Sequence, residues 1–137
     1  MKLFVKIFFL SIILTGCTRH FSKQELVGRY SPYGYKYTYD TIELQTEGIY
    51  RRKVYDKNKK LQLDLTSKWE LRDEGSKIFF HSFYLNLDDD LIRFPHLVQD
   101  TTGGGLINLD KNAGTIEFCV GYFSADLPDQ NCYRKIK

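Results

Sequence analysis

The stretch from Leu61 to Leu71 limits what this chain can fold into more than any other. Leu61, Leu63, Leu65, Ser67, Trp69 and Leu71 fall on one parity, and Gln62, Asp64, Lys68, Glu70 and Arg72 on the other. Period two belongs to a strand whose side chains alternate between two faces; a helix would need its apolar residues every three to four positions. The spacing predicts one long bent strand, or two strands in line, half buried. Such a strand needs neighbours. Gly28 to Tyr30, Ile42 with Leu44, Ile49 to Tyr55, Ile78 to Leu85, Leu106 to Leu109, Thr115 to Tyr122 and Cys132 to Ile136 each read as one. Between them, Ser31 to Gly34, Glu47-Gly48, Asp56 to Lys60, Asp73 to Ser76 and Asp110 to Gly114 read as turns, and Leu87 to Gly105 as irregular. Ser22 and Glu25 have the spacing of a capping box, which predicts one helical turn before the first strand. No long helical pattern appears. The expected fold class is all-β, an antiparallel meander closing into a small barrel or sandwich.

The first half of this pattern carries a resemblance. Val27-Gly-Arg-Tyr30, Asp40-Thr-Ile-Glu-Leu44, Thr46-Glu-Gly-Ile-Tyr50, Lys68-Trp-Glu-Leu71 and Ile78-Phe-Phe80 follow one another at even spacing. That order resembles small lipocalin-like bacterial lipoproteins. The resemblance implies a binding barrel and brings no catalytic residues.

The amino terminus points the same way. Lys2 and Lys6 precede a short apolar run, Ile7 to Leu14, which ends in Leu14-Thr15-Gly16-Cys17. A basic start, a short apolar middle and small residues form a secretory signal peptide, and the run is too short to span a bilayer, which takes about 20 apolar residues. The last four residues resemble the lipobox of bacterial lipoproteins. The resemblance implies cleavage before Cys17 and a diacylglycerol on its sulfur. Residues 1–16 are then the signal peptide, 17–25 the lipidated cysteine and a short tether, and 26–137 a single antiparallel β domain. Thr18 lacks the aspartate character that retains such proteins at an inner membrane. In a source with two membranes, the resemblance implies the outer membrane, facing the periplasm.

Removing residues 1–16 takes away Lys2 and Lys6 and lowers the formal charge from +3 to +1. A near-neutral body gives no electrostatic case for nucleic acid. Cys119 and Cys132 remain as an even pair in an exported, oxidising setting, where a disulfide is expected. No cofactor or metal is expected. Asp88-Asp89-Asp90 lacks the spacing of a calcium loop, and Gly103-Gly104-Gly105 lacks the Lys and Ser/Thr of a phosphate loop and reads as a turn. His20, His81 and His96 have no metal spacing, and no serine sits in a nucleophile elbow. The chain is expected not to be an enzyme.

Two features suggest binding. Tyr33, Tyr35, Tyr37 and Tyr39 alternate, which predicts four rings on one strand face, suited to a partner or ligand. Ile42 and Leu44 have the opposite parity. Either a bulge near Asp40 turns the rings inward, as core and rim, or they lie outside. Arg52 shares its parity with Tyr50 and Val54. If those point inward, the arginine is buried and needs a carboxylate or a polar ligand; a charged strand edge is the other reading. Tyr33, Tyr35, Tyr37 and Arg52 are therefore the candidate binding residues. Three functions remain open: an interaction, inhibitor or immunity-type lipoprotein with an envelope protein as partner, a small-molecule-binding barrel, and an assembly or structural factor. In each, Cys17 attaches the protein to the membrane through its lipid.

Overall fold

The computed structural model describes residues 19–84, 86–96, 103–120 and 131–137. After a helical turn, α1 (Lys23–Leu26), the strands β1 (Gly28–Pro32), β2 (Thr38–Leu44), β3 (Ile49–Asp56), β4 (Leu61–Arg72), β5 (Lys77–His81), β6 (Gly104–Asn112), β7 (Thr115–Cys119) and β8 (Cys132–Ile136) follow in order. A second helical turn, α2 (Asp90–Arg93), lies between β5 and β6. Each strand pairs antiparallel with the next, and β8 pairs with β1, so the sheet closes into an eight-stranded barrel. Of the two expected closures the barrel is the one formed. Closure leaves no strand edge open.

Chain direction sorts the connections between two ends. At one end lie α1, the β2–β3 turn at residues 45–48, the β4–β5 turn at 73–76 and the β6–β7 turn at 113–114. At the other lie residues 33–37, the β3–β4 turn at 57–60 and the segment after β5 that contains α2. The first end holds the amino-terminal segment. The capping box forms: Glu25 N–H donates to Ser22 Oγ at 3.3 Å and Ser22 N–H to Glu25 Oε2 at 2.8 Å. Phe21 N–H donates to the Gly75 carbonyl at 2.9 Å, and Phe21 and Leu26 are buried against the barrel core. Gly75 has φ +96°, and a Cβ there would collide with the Phe21 carbonyl, so both conformation and contact call for glycine. The described part of the expected tether is thus docked from Phe21 onward, and residues 1–18 lie outside the described residues.

The barrel interior is packed with side chains. Trp69, Tyr30, Tyr50, Tyr133, Phe80, Phe118, Ile42, Leu44 and Ile78 are all fully buried. Phe118 stacks on Tyr133 with centroids 5.4 Å apart, and Tyr50 meets Phe80 edge-on at 5.1 Å. The Trp69 indole N–H lies 3.1 Å from both the Gln45 and Ile49 carbonyls, which ties β4 to the β2–β3 turn. A disulfide joins Cys119 of β7 to Cys132 of β8.

Several expectations change in detail. The long strand forms as β4, but its register slips against β3: Val54 lies opposite Leu63, while Tyr55 lies opposite Leu61. One extra residue flips the alternation, so Leu61 is exposed although Leu63 is buried. Gly104 and Gly105 are not a turn; they pair with His81 and Phe80 in β6. A Cβ at Gly104 would sit 2.6 Å from Phe79 Cζ, so the glycine makes room for a ring. The β6–β7 turn is only Ala113-Gly114, both at positive φ, which lengthens β6 through Asn112. Ser31 and Pro32 belong to β1 rather than to the turn after it.

Candidate functional site

The tyrosine stripe is not a strand face. Residues 33–37 form the connection between β1 and β2, and β2 begins at Thr38. From there the alternation is unbroken, with Thr38, Asp40, Ile42 and Leu44 buried and no bulge at Asp40. Tyr39 therefore faces outward and is exposed. The other three rings diverge. Tyr33 is exposed, with the Arg134 guanidinium 4.6 Å from its centroid. Tyr37 is exposed, with Lys57 Nζ at 4.4 Å. Tyr35 is half-buried; its hydroxyl donates to the Asn86 carbonyl and lies 3.2 Å from Asn131 Oδ1. A loop obeys no period-two rule, which is why the expected common face does not form.

The loop has a defined anchor. Asp88 Oδ2 accepts from Lys36 N–H at 2.8 Å, and Oδ1 from Tyr37 N–H at 2.7 Å and Thr38 N–H at 3.1 Å. The Thr38 hydroxyl donates to the Asp88 carbonyl. The aspartate run thus contributes one carboxylate that holds the entry to β2, a charge-assisted contact to backbone donors.

Arg52 is fully buried and inward, as its parity predicts. It sits in β3 between β2 and β4, so the charged-edge reading falls away. The carboxylate it requires is Asp40 of β2. Nε donates to Oδ1 at 3.0 Å and Nη2 to Oδ2 at 2.7 Å, a bidentate pair. Nη1 donates to the Tyr84 carbonyl, and Nη2 lies 3.0 Å from the Tyr133 hydroxyl oxygen. Asp40 Oδ2 also accepts from Tyr133 OH at 2.7 Å and from Asn86 Nδ2 at 3.1 Å. The guanidinium packs over the Phe83 ring at 4.8 Å. Burial works against the arginine charge, but the Asp40 carboxylate, with the Tyr133 and Tyr50 phenols beside it, leaves the pKa raised above its ordinary value. Burial pushes the Tyr133 phenol well up, and nearby Asp40 adds to this, so Tyr133 stays a neutral donor.

These groups tie β2, β3 and β8 to Tyr84 and Asn86, which follow β5. The network's hydrogen bonds cross-link these elements and hold that end of the barrel together. Sequence parity pointed to Arg52; Asp40, Asn86 and Tyr133 were missed. The signal for Asp40 was available, since it shares its parity with Ile42 and Leu44 and an inward arginine demands a carboxylate. No such signal existed for Asn86, which reaches the network from an irregular segment.

On the outer wall, a different set comes together. Tyr39 lies opposite Tyr55 in the β2–β3 register, and Tyr55 lies opposite Leu61. Tyr39, Tyr55 and Lys59 line a surface groove. Among the described residues no group of His, Cys, Asp and Glu side chains is placed to hold a metal ion. In comparisons with known proteins, no family model, curated protein or solved structure matches the chain.

Proposed function

We propose that this is a lipid-anchored envelope binding protein whose ligand is another protein, of the inhibitor or immunity type. The observation that carries the reading is the filled barrel. Aromatic side chains occupy the interior, and the Arg52–Asp40–Tyr133–Asn86 network occupies one end of it. A small-molecule-binding barrel would need that volume for its ligand. Binding through the outer surface does not, and exposed tyrosines suit an interface because they supply large rigid contact area with a polar tip. Tyr33, Tyr37 and Tyr39 are exposed at or near the end away from α1. A lipid on Cys17, two residues before the first described residue, would hold the other end to the membrane and turn these rings away from it.

The test has two parts. Cys17→Ser should release the protein from the membrane fraction; unchanged membrane association would remove the anchor. A photo-crosslinking amino acid at Tyr33 or Tyr37 should capture one discrete envelope protein in cells, while the same group at Ile136, on the anchored end, should not. Absence of any adduct at Tyr33 and Tyr37 would defeat the interaction reading.

A further inference from the structure

The groove on the outer wall is more than the scattered exposure of single rings. Tyr39 and Tyr55 face each other across β2 and β3, and the slip in β4 brings Leu61 outward beside them. A bulge that re-aims an apolar residue into solvent next to two tyrosines builds a surface the core does not use. Lys57 stands over Tyr37 at one side, and Lys59 lines the groove itself. Lys36, Lys57, Lys59 and Lys60 are all exposed at this end, and among the described residues none of the four is in an ion pair. The neighbouring carboxylates are engaged within the chain. Asp56 accepts from Asn58 N–H at 2.8 Å, Lys60 N–H at 2.9 Å and the Gln62 amide at 3.0 Å. Asp88 holds three backbone N–H groups, and Asp89 pairs with Arg93. Aromatic faces flanked by unpaired cations call for a partner that carries negative charge and an apolar or aromatic body.

We infer that this groove docks an acidic, aromatic-containing segment of a partner protein, with Tyr39, Tyr55 and Leu61 receiving its apolar groups and Lys57 and Lys59 its carboxylates. The inference rests on the interaction reading above and names the chemistry of the partner. An anionic membrane is the less favoured occupant, because the groove opens on the barrel wall toward the end opposite the amino-terminal segment.

The experiment measures binding of a glutamate–tyrosine copolymer to the full chain in nonionic detergent. Lys57→Glu/Lys59→Glu should weaken it by about tenfold or more, as loss of charge complementarity does. Tyr39→Ser, an exposed outward position, should weaken it by a similar factor of roughly ten, as expected for an aromatic anchor. Lys77→Glu, at the other end of the barrel, should leave it unchanged. Failure of the copolymer to bind, or an equal loss in Lys77→Glu, overturns the inference. So does displacement of the copolymer by soluble short-chain phosphatidylglycerol at lower concentration than by glutamate peptides, which would assign the groove to lipid. In each of these cases the crosslinks at Tyr33 and Tyr37 decide separately whether the broader interaction reading stands.

Discussion

Asp40 shows how one residue joins parts of the chain far apart in sequence. Its two oxygens receive Arg52, Tyr133 and Asn86 from β3, β8 and the segment after β5. Removing it would leave a guanidinium buried without its counter-charge. Asp40→Ala should therefore destabilise by about 3–5 kcal/mol in chemical denaturation. Asp40→Leu combined with Arg52→Leu should recover a large part of that loss, because a buried pair replaced by apolar groups is often neutral. A double variant as unstable as the sum of its singles would mean that the pair is not the coupled unit described. Arg52 was legible from its parity with Tyr50 and Val54. Parity with Ile42 and Leu44 also marked Asp40 as inward, but choosing it as the partner among the 17 acidic residues takes the β2–β3 register, which sets Ile42 opposite Arg52 and Val54 opposite Asp40. The tyrosines failed for the opposite reason: their alternation mimics a strand, but the Asp88 carboxylate holds that backbone in a loop.

At the scale of elements, strands were legible wherever one face is apolar and the other polar, as in β4, and turns wherever polar residues with glycine or asparagine interrupt that pattern, as at 45–48, 57–60 and 73–76. What stayed hidden was set by contact with neighbours. The slip at Leu61 depends on how β4 meets β3, and Gly104 and Gly105 extend β6 by pairing with His81 and Phe80, where a side chain at 104 would collide with Phe79. The disulfide was expected from the even cysteine pair left in a chain read as exported, and the pairing explains where it acts. It joins β7 to β8 at the residue between Asn131, which meets the Tyr35 hydroxyl, and Tyr133, which meets Asp40. Replacing Cys119 and Cys132 by alanine should lower stability by about 3 kcal/mol on the loop-entropy model, read as a reduced denaturation midpoint. Hydrogen exchange should rise first at Tyr133 and along the 35–38 segment. An unchanged midpoint would mean that the sheet pairing alone fixes these strands.

Across the whole molecule, the sequence made an all-β meander legible but left barrel and sandwich equal, because that choice depends on a single long-range pairing of β1 with β8. The closed interior sets a response to alkali. Burial raises the phenol pKa of Tyr30, Tyr35, Tyr50 and Tyr133 above the ordinary value. In the unfolded chain these phenols lose their protons near pH 10 (about the model-peptide value). The folded state still holds them there, so stability is full below that pH and falls as pH rises through it. A phenolate absorbance titration should show a late cooperative step that coincides with loss of circular dichroism; phenolate appearing smoothly with the fold intact would contradict the buried network. The β1–β8 pairing also orders events in time. Arg29 meets Ile136, so the ring cannot be completed until the last strand has been delivered, and a chain emerging amino terminus first must wait with β1 unpaired on one side. An exposed strand border is a template for joining other chains. Loss of β8 would leave two permanently open borders in its place, one on β1 and one on β7.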